Sequence, residues 1–265
     1  MNRKLENRVA VVFGAGSVSD GWGNGKASAI AYSRAGARVV CVDINKDAAE
    51  ITAEMIRSEG GKALALAADV IVHDQVKAAI DRAETDYGSV DILHNNVGIT
   101  AAGGPLESSE ESWDRVMTVN VKSMFLAAKC ALPAMLRQNR GAIINISSLA
   151  SIRWTGYNYT SYYASKAAVN NFTRALAIEY AARGIRANTI LPGIMNTPHV
   201  YQNITGFYAS VDEMVKARDS MSPTGKQGTG WDIAHAAVFL ASDEAAYING
   251  VVLPVDGGLH IKVAD

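Results

Sequence analysis

Seven short apolar runs, at 9–13, 38–42, 63–67, 91–94, 142–146, 186–191 and 251–255, alternate with stretches of helical period along this chain. The first, Val9–Phe13, contains no polar residue and stops at Gly14. A strand with one face in water alternates polar and apolar residues, so an unbroken apolar run needs cover on both faces. Between the runs, Ala27, Ile30 and Ala31 fall at helical spacing over 26–35, and the same reading places helices at 47–58, 74–87, 119–137, 161–182 and 231–241. Doubly covered strands separated by helices predict an α/β, Rossmann-type, doubly wound parallel seven-stranded sheet with helices on both faces. No repeat, low-complexity tract or linker interrupts the alternation, so residues 1–265 are expected to form a single domain. Residues 192–230 lack a clear period but are rich in large apolar side chains (Met195, Tyr201, Ile204, Phe207, Tyr208). That predicts a substrate-covering lobe at about 193–230 rather than a tether.

Charge and cysteine usage narrow the function classes. Lys plus Arg is 25 against 26 for Asp plus Glu, a net charge of −1, which gives no general attraction to nucleic-acid backbones. Cys41 and Cys130 lie in apolar stretches without metal or redox spacing and read as free thiols, consistent with a cytoplasmic location. The polar N-terminus (1–8) does not read as a secretory signal, and no run suggests a membrane span. The five histidines form no ligand-spaced cluster, so no metal is expected.

The segment between the first strand and its helix is unusually glycine-rich: Gly14, Gly16, Gly21, Gly23 and Gly25, with Asn24 beside the last. Glycines are needed where backbone turns tightly and approaches a pyrophosphate, and the following helix offers free N–H groups to the anion. Asp43 ends the second strand, where a carboxylate accepts from adenosine ribose hydroxyls and repels a 2′-phosphate. The expected cofactor is NAD.

Tyr162 and Lys166 are four apart on a predicted helix and share a face. A phenol with a pKa of about 10 needs roughly 4 kcal/mol of preference for the phenolate to act as a base at neutral pH. One ammonium group about 4 Å away supplies that order of magnitude at an effective dielectric of about 20.

Taken together, these residues resemble the short-chain dehydrogenase/reductase family from end to end. Asn95-Asn96-Val97-Gly98 is similar to its Asn-Asn-Ala-Gly segment, Ser148, Tyr162 and Lys166 to its catalytic trio, and Asn120 to the fourth member. Asp69-Val70 is similar to its adenine-side pair, Pro192-Gly193 with Thr197 to its carboxamide-holding segment, and 254–258 to its C-terminal strand. The resemblance implies that Tyr162 exchanges the substrate proton while hydride passes between a secondary alcohol and nicotinamide. Ser148 would hold the substrate oxygen, Lys166 would lower the Tyr162 pKa and bind ribose, and Asn120 would hold a water. It implies Asn96 and Gly98 beside the cofactor, and a homodimer through the helices at 119–137 and 161–182, or a homotetramer through the C-terminal strand.

Three departures leave alternatives. The glycine loop is longer than the family's by roughly five residues (Gly14 to Gly25), and Trp22 could fold over the cofactor or reach a neighbouring subunit. The longer loop is also similar to the enoyl-thioester reductase branch, whose tyrosine stands where Tyr159 does; Ser148, Asn120 and 95–98 favour the alcohol/ketone branch. Ser148 lies one residue further before Tyr162 than is usual, with Ser147 as its neighbour. Ile99, Thr100, Leu149, Trp154, Tyr157, Tyr159, Ile194, Met195 and His199 are expected to line the pocket, which favours a hydrophobic, cyclic or aromatic small molecule. A non-catalytic dinucleotide-binding scaffold is the remaining alternative, though it has no physical need for the four catalytic residues together.

Overall fold

All seven expected strands pair in parallel in one sheet. The computed structural model describes residues 3–203, 206 and 208–263, so Ile204 and Phe207 of the expected lobe lie outside the described residues. In chain order come β1 (Val9–Phe13), α1 (Asn24–Arg34), β2 (Arg38–Asp43), α2 (Lys46–Ser58), β3 (Ala63–Ala67), α3 (His73–Tyr87) and β4 (Ile92–Asn95). Then follow α4 (Glu110–Met117), a π-turn (Thr118–Lys122), α5 (Ser123–Gln138), β5 (Gly141–Ile146), α6 (Thr160–Glu179) and β6 (Ile185–Pro192). β7 (Met195–Asn196), α7 (Pro198–Asn203), α8 (Val211–Met221), β8 (Gly228–Thr229), α9 (Gly230–Ala241) and β9 (Val252–Val255) come last.

The strand order β3-β2-β1-β4-β5-β6-β9 reverses direction between β1 and β4. Alternate residues of each strand feed opposite cores. Ala10, Val12, Val39, Cys41, Ile92 and Ile144 pack with Ala49, Ala53 and Ile56 of α2 and Ile233, Ala237 and Leu240 of α9. Val9, Val11, Phe13, Val40, Leu93 and Ile143 pack with Val76 and Ile80 of α3, Ala131 and Met135 of α5, and Leu176 of α6. Two buried faces explain why the strands show no polar alternation. Neighbouring strands that send their chains to opposite faces leave a crevice beyond their C-terminal ends, and β1 and β4 are such a pair.

Two expectations need correction. The 192–230 stretch is not irregular: it holds α7, α8 and a short parallel pair, β7 with β8. The Ser210 hydroxyl accepts from the Glu213 N–H at the start of α8, a capping pattern visible in the sequence. The helix expected at 119–137 begins at Glu110, and the continuous run Glu110–Gln138 is long and apolar enough, by length and composition, to cross a membrane. In this fold 56% of its most apolar window is buried inside the protein, where α5 covers β4 and β5.

Candidate active site

A cleft of about 1400 Å³ opens at the C-terminal ends of the strands. Gly14, Gly16, Gly23, Asn24 and Gly25 line it, as do Asp43, Asp69, Val70, Asn96, Gly98, Pro192, Gly193 and Thr197. Ser148, Tyr162 and Lys166 line it too, and Asn120 is buried behind them.

The glycine loop lines the cleft and packs so closely against its neighbours that side chains at Gly16 and Gly25 have no room. A Cβ on Gly25 would stand 1.9 Å from the Gly14 carbonyl oxygen, and one on Gly16 would stand 2.8 Å from Asp43 Oδ2. Gly14 adopts φ +77°, a left-handed conformation that costs other residues energy. The Asn96 amide donates to the Gly14 carbonyl at 3.1 Å and ties the loop to the end of β4. α1 begins at Gly23 with no side-chain cap and no acidic residue in its first turn, so its N–H groups and positive dipole end are available to an anion. Asn24 Oδ1 is buried without a hydrogen-bond partner. A glycine loop on the cleft, an uncapped helix start and an orphaned polar atom fit a dinucleotide.

Asp43 is pinned at the rim. Its Oδ2 accepts from the Gly16 N–H at 3.0 Å and its Oδ1 from the Asn45 N–H at 3.0 Å. The adjoining cleft residues Ile44, Asn45 and Ala48 bring no cation. Trp22, which the sequence could place over the cofactor, does not line this chain's cleft. Its ring packs on Trp231 with centroids 4.9 Å apart, and Lys26 Nζ lies 5.3 Å from it. The inserted loop seats on the start of α9, where a Cβ on Gly230 would meet the Trp22 and Gly23 carbonyl oxygens at 3.0 Å.

The catalytic candidates converge from three elements. Ser148 follows β5 in extended conformation, its hydroxyl accepting from the Ala150 N–H at 3.1 Å, and it lines the cleft together with Tyr162 of α6. Ser147 also lines the cleft, but its buried hydroxyl is committed, donating to the Lys166 carbonyl at 2.9 Å. Lys166 Nζ donates to the Ile146 carbonyl at 3.0 Å and lies 5.6 Å from the Tyr162 ring centre. A Cβ on Gly98 would stand 2.9 Å from Lys166 Nζ, so only glycine leaves that ammonium its place.

The electrostatic expectation reverses in this state. Burial pushes the Tyr162 phenol up, and the opposing influence of the nearby Ser148 side chain is smaller. Burial pushes Lys166 down, to about 8. Sharing a helix face sets proximity, but depth sets the penalty on charge, and burial works against the charged form of both groups here. The expectation that Lys166 holds the phenol low is therefore not met by these residues alone.

Asn120 sits in the π-turn, a geometry frequent at functional sites. Its amide donates to the Ile99 carbonyl and the Ser165 hydroxyl, both at 2.9 Å, and its Oδ1 accepts from the Ile99 N–H at 2.8 Å. A side chain so engaged braces the loop after β4. Behind it, Asn95 donates to Asn145 and Asn145 to Thr173, each at 2.8 Å, joining β4, β5 and α6.

All nine expected pocket residues line the cleft. Tyr163 is held for structure: its hydroxyl accepts from the Thr155 N–H at 3.0 Å and donates to the Tyr157 carbonyl at 3.1 Å, and its ring stacks on Trp154. Tyr159 stacks on Tyr157 at 5.5 Å, and its phenol too is pushed up, by burial first. Sequence reasoning missed Arg115, Arg153, Arg218 and Leu259, which also line the cleft. A lone arginine in a helix reads as surface, and nothing local marks it otherwise.

Known proteins with the same pattern are numerous. A family model described as enoyl-(acyl carrier protein) reductase matches residues 18–260. The chain is 40% identical over 263 residues to 2,5-dichloro-2,5-cyclohexadiene-1,4-diol dehydrogenase LinX of Sphingobium indicum, covering 99% of this chain and 100% of that one. It is 37% identical to a solved structure described as a short-chain dehydrogenase/reductase from Burkholderia xenovorans, with a TM-score of 0.92 over 98% of this chain and 99% of that one. Another, described as an NAD(P)-dependent gluconate 5-dehydrogenase from Beutenbergia cavernae and solved with NADP at low occupancy, is 36% identical, with a TM-score of 0.87 over 99% of this chain and 100% of that one.

Proposed function

This chain belongs to the short-chain dehydrogenase/reductase family, and from that premise we propose an NAD(H)-dependent enzyme that interconverts ring-bearing secondary alcohols and their ketones. The observation that carries the proposal is the convergence of Ser148, Tyr162 and Lys166 in the same cleft as the glycine loop. Bound NAD(H) supplies the hydride acceptor or donor at its nicotinamide ring. The chain's residues do the rest. Gly14, Gly16, Gly23, Asn24 and Gly25 receive the pyrophosphate, with Asp43, Asp69 and Val70 at the adenosine end. Asn96, Gly98, Pro192, Gly193, Thr197 and Lys166 hold the nicotinamide half.

Ser148 positions the substrate oxygen against the Tyr162 hydroxyl, and Tyr162 gives it a proton on ketone reduction or takes one on alcohol oxidation. The aromatic and aliphatic lining, from Ile99 through Trp154 to Met195, favours a hydrophobic ring, as does a relative named for a cyclohexadienediol. The 193–230 segment, with α7 and α8, covers that ring within a single-domain chain. The chain acts as a homodimer or homotetramer, a state that light scattering measures directly. A panel of secondary alcohols with NAD⁺, set beside an enoyl thioester with NADH, tests the reaction class. Reduction of the thioester without oxidation of any alcohol would move the chemistry to Tyr159, the reading that the name of the matching family model favours.

Cofactor choice rests on Asp43. A carboxylate fixed by two backbone N–H groups cannot swing away from a 2′-phosphate, and like charges about 4 Å apart repel by about 1–4 kcal/mol between water and a partly buried rim. The expected kcat/KM for NAD⁺ exceeds that for NADP⁺ by at least about tenfold, and Asp43→Ser narrows the ratio by a similar factor. Equal use of both cofactors by the unaltered enzyme removes that role from Asp43.

A further inference from the structure

The cleft holds a buried cation that the hydride chemistry does not use. Arg218, on α8, is 6% exposed, the only arginine among the described residues buried to that degree. Its Nε donates to Gln227 Oε1 at 2.9 Å and one terminal nitrogen donates to the Met195 carbonyl at 3.2 Å. Both partners are neutral. The adjacent carboxylate, Asp219, is turned to Gln227, accepting from its backbone and side-chain nitrogens at 3.0 and 3.1 Å. Among the described residues no carboxylate lies within ion-pair distance of Arg218. A guanidinium has five N–H donors, and two are used here. The other terminal nitrogen is not among the buried polar atoms that lack a partner, so its unpaired donors meet the open cleft that Arg218 lines.

The position of that charge is informative. It acts on the Tyr157 hydroxyl, which lies 3.2 Å from that of Tyr208. Tyr157, Met195 and Met221 line the same cleft as Arg218. A buried, unpaired guanidinium is costly unless an anion meets it, and its planar fork suits an oxyanion.

We propose that Arg218 is a specificity-determining residue that binds an anionic group, a carboxylate or sulfonate, carried by the substrate at a distance from its carbinol carbon. The inference rests on the alcohol/ketone reading and refines it: the apolar lining takes the ring, and Arg218 takes a charge on the ring's far side. It distinguishes the substrate from a plain hydrophobic alcohol, which would leave that cation desolvated and unmatched.

The test compares 4-hydroxycyclohexanecarboxylate with its methyl ester as substrates of the unaltered enzyme with NAD⁺, with cyclohexanol alongside. The expected result is a KM for the acid at least about tenfold below that for the ester, the scale of a charge-assisted hydrogen bond, with similar kcat. Arg218→Met removes the difference by raising the KM of the acid to that of the ester. An ester or cyclohexanol used as well as the acid overturns the proposal, whether or not the variant folds. Benzoate and benzamide binding, measured by calorimetry on the unaltered protein, reads the same site without turnover. Benzoate binding at least about tenfold tighter supports the anion site even if no alcohol is oxidised, an outcome that sinks the dehydrogenase reading alone. Equal binding of the two overturns the site itself.

Discussion

Tyr162→Phe lowers kcat in both directions by about 10³-fold or more and leaves the affinity for NADH within about twofold, because it removes one hydroxyl and no packing. The size follows from the role. General acid–base catalysis by a positioned group contributes about 10²–10⁴-fold, and no neighbouring phenol stands ready to substitute. Tyr163 is committed to Thr155 and Tyr157, and Tyr159 is stacked on Tyr157. The pH dependence gives the sign of the effect. Burial holds the Tyr162 proton on to higher pH than in a free phenol, so the group stands ready as an acid for ketone reduction at neutral pH. As a base it must first lose that proton, and the deprotonated fraction grows about tenfold per pH unit below the pKa. Oxidation of alcohol therefore accelerates through the alkaline range while reduction, which uses the protonated form, stays level, and the phenylalanine variant removes the alkaline rise. Steady-state rates from pH 6 to 10, with NADH titrated by fluorescence, check both halves. A variant that keeps most of its turnover takes Tyr162 out of the chemistry.

What could be read before the fold was known divides along physical lines. The parallel sheet was legible because burial on both faces erases polar alternation, and β1, β2 and β5 carry that mark in their composition alone. The glycine loop, Asp43 and the Ser148–Tyr162–Lys166 set were legible because each needs a residue type at a fixed distance along the chain from a strand end. Three things were not. The π-turn around Asn120 has the same apolar period as ordinary helix, so only hydrogen bonding reveals it. Arg218 has no local signature, since its burial comes from β7 and the turn at Gln227, remote in sequence from one another. The direction of the Tyr162 and Lys166 shifts depends on how deep both groups sit, which helical spacing does not encode. Trp22 belongs with these: an aromatic in a glycine loop invites a cofactor role, and only the tertiary contact with Trp231 assigns it to packing.

Lys166→Met is expected to make the protein more stable and much less active. Lys166 is 3% exposed, and its ammonium has one neutral acceptor, the Ile146 carbonyl. Burial pushes its folded-state pKa down to about 8, below the 10.5 of a free lysine side chain. Between those values the unfolded chain holds a proton that the folded chain has released, so folding becomes more favourable as pH rises through that window. Below it, the buried charge costs a few kcal/mol relative to an unshifted lysine, by the usual conversion of about 1.4 kcal/mol per pKa unit. Methionine fills similar volume without charge, so the variant gains one to a few kcal/mol at pH 7 and loses the rise in stability between pH 8 and 10.5. Urea unfolding at pH 7 and pH 10, run on both proteins, isolates Lys166 from other groups that titrate there, because only the difference between the two is read. Activity moves the other way: the cleft loses the cation beside Tyr162 and Gly98, and kcat/KM falls by about 10²–10³-fold with weaker NADH binding. A side chain that costs stability where it sits and restores it in turnover is the signature of a site residue rather than a structural one. If the variant is no more stable at pH 7 and the alkaline rise persists, Lys166 is not the buried charge that this geometry describes.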